Sequence, residues 1–198
     1  MVVRDVDGTL RNGSWDEKMR MCQTFFPRAG RECFLPRMFL PDFLPRALDH
    51  VSATYLLDSA CAQLEPDDPD YIRVTHAVYD DVDKKGTYDE LYSTRLFGGL
   101  VFYLTSVVRL DGLMLDRLKR GKVTDAADVV RLLNILHPKC RCALEVKMRG
   151  GERPSERQLL DIYIETMARD KLVDKLRRAL DVNEGTDDAK EEVTAVSQ

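Results

Sequence analysis

Apolar residues recur along this 198-residue chain at helical spacing, divided by capping and breaking residues. Ser14 with Glu17, Thr87 with Glu90, and Ser155 with Gln158 each fit the S/T-x-x-E/Q pattern, in which two side chains satisfy orphan backbone donors of a first helical turn. The first pair predicts a helix over 15–26, ended by Pro27. Pro27, Pro36, Pro41 and Pro45 punctuate a Phe- and Leu-rich stretch, which predicts a loop or short helical turns packed into a core. Leu48, Val51, Tyr55 and Leu56 share one face of a helix over 45–63, and a turn follows at 65–69. Ile72, Val74, Ala77, Val78 and Val82 mark the inward face of a helix over 70–84.

After Thr87 comes the longest apolar segment, 91–108, which predicts a largely buried helix bent at Gly98-Gly99. A helix over 110–120 stops at Gly121, and another over 125–136 has Thr124 at its N-cap and Pro138 beyond its end. Residues 139–149 fit no single element. Arg149-Gly150-Gly151-Glu152-Arg153-Pro154 reads as a linker, and the stripe Leu160, Tyr163, Ile164, Met167, Leu172, Val173, Leu176, Leu180 predicts a long amphipathic helix after it. Residues 183–198 are acidic and poor in large apolar groups, as in a disordered tail. The predicted fold class is all-α and multi-helix, with two small helical subdomains. These are an N-terminal helical domain (1–148), a linker (149–154) and a C-terminal helical region (155–182), followed by the tail (183–198).

Composition adds exclusions. No apolar run approaches the roughly 18–20 residues of a membrane span. Arg4, Asp5 and Asp7 interrupt any secretory signal within seven residues, so folding in the cytosol is expected. In that reducing setting Cys22, Cys33, Cys61, Cys140 and Cys142 are expected to be free thiols. The net charge of −4 conceals a strong asymmetry. Residues 58–90 carry ten acidic and three basic side chains, residues 95–157 seven and thirteen, and residues 181–198 six and one. Such blocks suit oppositely charged partners or head-to-tail self-association; alternatively they neutralise each other within the fold.

Three patterns bear on chemistry. Asp5-Val6-Asp7-Gly8-Thr9-Leu10 matches the D-x-D-G-T signature of haloacid-dehalogenase-type phosphatases, where one Asp attacks phosphorus and the other acts as general acid/base beside magnesium. That chemistry needs the pair at the end of a buried parallel strand, and only four residues precede it here, so an N-terminal turn bent at Asp7-Gly8 is the simpler reading. His137, Cys140 and Cys142 form H-x₂-C-x-C, which is three donors where a closed zinc site needs four, so no metal is assigned. The third pattern is cationic. Arg109, Arg117, Lys119, Arg120, Lys122 and Arg131 fall on two consecutive predicted helices, a cluster suited to anionic headgroups or RNA phosphates.

The run Leu96-Phe97-Gly98-Gly99-Leu100-Val101-Phe102-Tyr103-Leu104-Thr105, then Arg117-Leu118-Lys119-Arg120-Gly121, then Asp125–Leu133 resembles the middle of orthomyxovirus matrix proteins. In those proteins an apolar, Gly- and Phe-containing helix leads through an arginine-rich helix and a glycine turn into a second amphipathic helix. The resemblance covers 96–136 and implies a divergent member, such as an isavirus protein. It implies a viral matrix protein without enzymatic activity or cofactor, lying beneath the virion envelope and at the inner face of the host plasma membrane. Host cytoplasm is a further implied location, with the nucleus left open. Its implied partners are anionic lipid, viral ribonucleoprotein or nucleoprotein, and copies of itself, with direct RNA contact left open. On this reading Arg109, Arg117, Lys119, Arg120, Lys122 and Arg131 meet lipid, while Asp67, Asp68, Asp80, Asp81 and Asp83 meet a neighbouring protomer. The alternatives are the magnesium-dependent phosphatase and a helical RNA- or protein-binding, nucleocapsid-like adaptor.

Overall fold

A computed structural model describes residues 1–5, 8–18, 35–149 and 154–195, with side chains described up to residue 182. The chain is predominantly helical, as the apolar periodicity predicts, with one short hairpin at its start. It divides into two compact units, Met1–Val78 and Tyr79–Gln198.

In the first unit β1 (Val2–Arg4) pairs antiparallel with β2 (Leu10–Asn12), with Val3 opposite Arg11. The Asp5 N–H donates to Thr9 O and the Gly8 N–H to Asp5 O, both at 2.9 Å, and Gly8 sits at φ +89°. Only glycine enters that region without strain, so Gly8 suits its place just before β2. At Ser14 the predicted capping box is present: the Ser14 N–H donates to Glu17 (2.7 Å), and Ser14 Oγ accepts from the Glu17 N–H (3.3 Å). Residues 15–18 are helical; the rest of the predicted helix, with Cys22 and Cys33, lies outside the described residues.

Arg37–Phe39 form a short 3₁₀ turn, followed by α1 (Leu44–His50), α2 (Ala53–Gln63) and α3 (Pro69–Lys85). The single helix predicted over 45–63 is thus two. Val51 is extended, and Ser52 starts a new helix by accepting from the Tyr55 N–H at 3.4 Å. The break turns Leu56, Leu57 and Ala60 inward beside Phe39, Leu44, Val74 and Val78, and leaves Tyr55 exposed. Arg73 donates to Phe39 O (2.7 Å) and to Asp70 (2.6 Å), tying α3 to the 3₁₀ turn.

The second unit takes the last turns of α3 and adds α4 (Phe97–Ser106), α5 (Asp111–Lys119), α6 (Val123–Leu136), α7 (Arg141–Arg149), α8 (Glu156–Thr166) and α9 (Asp170–Ala195). Helix α6 packs against α4, α5, α7 and α8, and α9 against α5 and α8. Leu100, Leu104, Leu113, Met114, Leu118, Val130, Leu133, Leu160 and Leu176 fill the space between them.

Sequence spacing misplaced several boundaries here. The long helix predicted over 91–108 begins only at Phe97. Thr87 makes no side-chain cap and precedes a 3₁₀ turn, Tyr88–Glu90, and Ser93 has φ +63°. Thr94 acts instead: its hydroxyl donates to Leu91 O (2.6 Å) and accepts from the Leu96 N–H (3.2 Å), giving the backbone local partners that compete with helix. Gly99 is not a bend; a Cβ there would lie 2.5 Å from the Tyr79 hydroxyl, so it permits close approach to α3. Thr124 lies inside α6, whose N-cap is Lys122. The long helix predicted after 155 is two, α8 and α9, separated at 167–169, although its cap is as predicted, with both Ser155–Gln158 bonds formed. Four residues of the predicted linker, 150–153, lie outside the described residues.

Candidate interaction surface

The cationic cluster is dispersed by the fold. Arg117 is 1% exposed, in the core. Its guanidinium lies 4.3 Å from the Tyr92 ring centroid and 5.4 Å from that of Phe97, with Nη2 2.5 Å from Asp116 and Nη1 left without a partner. A paired carboxylate offsets the desolvation of a buried guanidinium and aromatic faces add to it, and both are supplied here. Arg109 pairs with Asp80, which also accepts from the Tyr103 hydroxyl at 2.8 Å; the bond to Asp80 raises the guanidinium pKa. Arg120 bridges Asp116 (3.0 Å) and Asp89 (2.6 Å), and Arg131 meets Asp128 at 2.5 Å. Lys119 and Lys122 stay exposed and share no ion pair with a described residue.

The acidic set is also divided. Asp68 and exposed Asp67 precede α3 in the first unit, where Asp68 accepts from the Asp70 N–H at 2.7 Å. In the second unit Asp80 holds Arg109, Asp81 pairs with Lys85 at 2.7 Å, and Asp83 accepts from Tyr88 at 2.5 Å. Asp80 and Arg109, assigned by the sequence to two different partners, are therefore each other's partner.

The polar centre of the second unit escaped sequence analysis. Asp111, 4% exposed at the start of α5, accepts from the Tyr163 hydroxyl (2.8 Å), from Arg169 Nε (2.7 Å) and from the Arg169 N–H (3.4 Å). It thereby locks α8 to α5 and places a carboxylate at the N-terminus of α9, where the helix dipole favours one. Next to it Gly112 admits the Tyr88 hydroxyl, which a Cβ would meet at 2.4 Å. Burial raises the pKa of both tyrosines, and the carboxylates facing them add to it, so each remains a hydrogen-bond donor. The partners of Asp111 lie more than fifty positions away, so no local spacing marks it.

The remaining motifs are structural in geometry. Asp5 closes the hairpin against Arg11 at 2.9 Å, and Arg11 also binds Glu17 at 2.7 Å. This is a two-stranded antiparallel hairpin, not the parallel strand a phosphatase nucleophile needs, and Asp7 lies outside the described residues. His137 Nε2 lies 3.1 Å from Thr105 O. Cys140 Sγ accepts from the Ala143 N–H at 3.3 Å, and burial pushes the Cys142 thiol up to about 11.

Two exposed features remain on the second unit. One is apolar: Phe102, Val107, Val108, Ile135, Leu144 and Met148 are 43–74% exposed. The other is an open groove of about 360 Å³ lined by Leu118 and Lys119 of α5 and by Lys175, Arg178, Ala179 and Val182 of α9.

Comparison with known proteins decides the family. The sequence model of the family described as mitochondrial 28S ribosomal protein S22 matches residues 1–138. The chain is 41% identical to the small ribosomal subunit protein mS22 of Bos taurus over 168 residues, which is 85% of this chain and 46% of the bovine one. It is 39% identical to mS22 of Mus musculus over 152 residues, 77% of this chain and 42% of the murine one.

The chain belongs to the mitochondrial ribosomal protein S22 family.

It spans less than half the length of these curated relatives. Membership overturns the orthomyxovirus matrix reading, with the viral function, partners and locations it implied. The virion, plasma-membrane and host locations fall, with the partnerships with anionic lipid and viral nucleoprotein. The phosphatase and nucleocapsid alternatives fall with it. The physical cause of the error is visible in 96–136. An apolar helix, a basic helix and a glycine turn are local features that unrelated helical folds share. In this S22-family chain the arginines of that segment are engaged with internal carboxylates and rings.

Proposed function

We propose that this chain is a structural protein of the small subunit of the mitochondrial ribosome, located in the mitochondrial matrix, where it contacts ribosomal RNA and neighbouring subunit proteins without catalysing a reaction. The observation that carries the reading is the 41% identity to bovine mS22 across 85% of the chain. The geometry is consistent with it. Buried pairs centred on Asp111 and Arg117 hold a stiff helical body, while apolar side chains and the cations Lys119 and Lys122 stay exposed for partners. Such a surface suits assembly into a larger particle.

Epitope-tagged chain expressed in cells tests the reading. Mitochondrial lysates resolved on sucrose gradients in magnesium should place it in the small-subunit peak together with that subunit's ribosomal RNA. Migration only in the free-protein fractions, or absence from mitochondria, would refute the proposal.

A further inference from the structure

The groove between the end of α5 and α9 combines two chemistries. Its accessible floor is apolar, from Ala179 and Val182 over the buried Leu118, and Val182 is 68% exposed. Its rim is cationic, from Lys119, Lys175 and Arg178. Lys171, Lys175, Arg178 and Val182 follow one stripe of α9 at spacings of four, three and four residues. Unlike Arg109, Arg120 and Arg131, the three rim cations share no ion pair with a described residue, and Asp174, four residues before Arg178, does not reach it.

The lining discriminates between anionic partners. A duplex phosphate backbone is held by cations on an open surface and has no use for an apolar floor. Single-stranded RNA is held by stacking its bases on aromatic rings, and among the described residues no aromatic ring lines this groove. An aliphatic side chain flanked by carboxylates meets both floor and rim, as when an amphipathic helix lays its anchors into a groove.

We propose that this groove seats an acidic amphipathic segment of a neighbouring protein, its apolar side chain on Ala179 and Val182 and its carboxylates on Lys119, Lys175 and Arg178. The proposal rests on the small-subunit reading, because it takes the partner to be another protein of that particle.

Purified mitochondrial small subunits containing the tagged chain would be treated with a carbodiimide, which joins lysine amines directly to carboxylates, and the linked peptides sequenced. The expected result is links from Lys119 and Lys175 to Asp or Glu of one segment of another subunit protein. Lys175→Glu with Arg178→Glu should abolish the Lys119 link and lower incorporation by about tenfold or more. The milder Lys175→Gln with Arg178→Gln should act in the same direction with unchanged circular dichroism. Lysine reversal of the linked carboxylates should restore the charge-reversed variant. Ultraviolet cross-links from these positions to RNA would overturn the assignment in favour of a nucleic-acid occupant. Links confined to the chain's own residues 183–198, or no links, would overturn it as well. Absence of the chain from the subunit would overturn both readings, whereas presence without these links overturns the groove alone.

Discussion

Asp111→Ala should be among the most damaging single substitutions in the second unit. The carboxylate is 4% exposed and accepts three hydrogen bonds. Removing it leaves the Tyr163 hydroxyl buried without an acceptor, because Tyr163 is 3% exposed. A buried donor deprived of its partner costs about 1–3 kcal/mol. The Arg169 side chain is 65% exposed and re-solvates, so its share is discounted to below about 1 kcal/mol. The total is about 1–4 kcal/mol, a fall in urea midpoint of about 0.5–2 M for a slope of about 2 kcal/mol per M. Tyr163→Phe removes the other half of the bond and costs about 1 kcal/mol. Because Tyr163→Phe removes the donor that Asp111→Ala strands, the double variant should cost at least about 1 kcal/mol less than the sum of the singles. Urea unfolding of the full chain, followed by circular dichroism at 222 nm, measures all three. Additive losses, or a loss below about 0.5 kcal/mol for Asp111→Ala, would refute the idea that this carboxylate organises α5, α8 and α9.

Other substitutions separate buried from exposed roles. Arg117→Ala removes a guanidinium packed on Tyr92 and Phe97 and should cost about 2–4 kcal/mol, whereas Arg109→Ala breaks a half-exposed pair and should cost less than about 1; comparable thermal shifts for the two would contradict the assignment. Gly112→Ala drives a methyl into the Tyr88 hydroxyl and should cost about 1–3 kcal/mol in the same urea titration, relieved when Tyr88→Phe is added. Cys142, with its pKa raised from 9.0 to about 11, should resist iodoacetamide at pH 8 while half-buried Cys61 and Cys140 react, as mass spectrometry of the labelled peptides would show. Since the unfolded thiol ionises first, Cys142 stabilises the fold below pH 9 and loses that contribution as pH rises from 9 towards 11. A Cys142→Ala variant should therefore lose less of its stability than the parent over that interval.

The helical class and many element positions were legible because they depend on neighbours in sequence. Ser14 and Ser155 cap their helices as the S-x-x-E/Q spacing requires, since a capping box closes within four residues. Val74, Val78 and Val82 face inward on α3 because three- and four-residue spacing puts them on one stripe. Local rules failed where a distant group decided the outcome. Thr87 and Thr94 both precede apolar residues, but burial of Tyr88 against Asp83 and the hydroxyl bonds of Thr94 move the helix start to Phe97. One continuous stripe from 160 to 180 hides a break, because the carboxylate receiving the Arg169 N–H belongs to Asp111.

The charge blocks teach the same lesson. Sequence counts the cations of 109–131 and the acids of 80–83 but not their separation, and Coulomb attraction falls with distance and solvent exposure. By itself the sequence determined an all-α chain, its periodic core and its family, the last through identity distributed over most of its length. Tertiary structure alone decided which arginines are spent inside the fold and which cations remain for partners. Only packing places Arg117 on Tyr92 and Asp111 beneath Tyr163, and only packing leaves Lys119, Lys175 and Arg178 around an unfilled apolar floor.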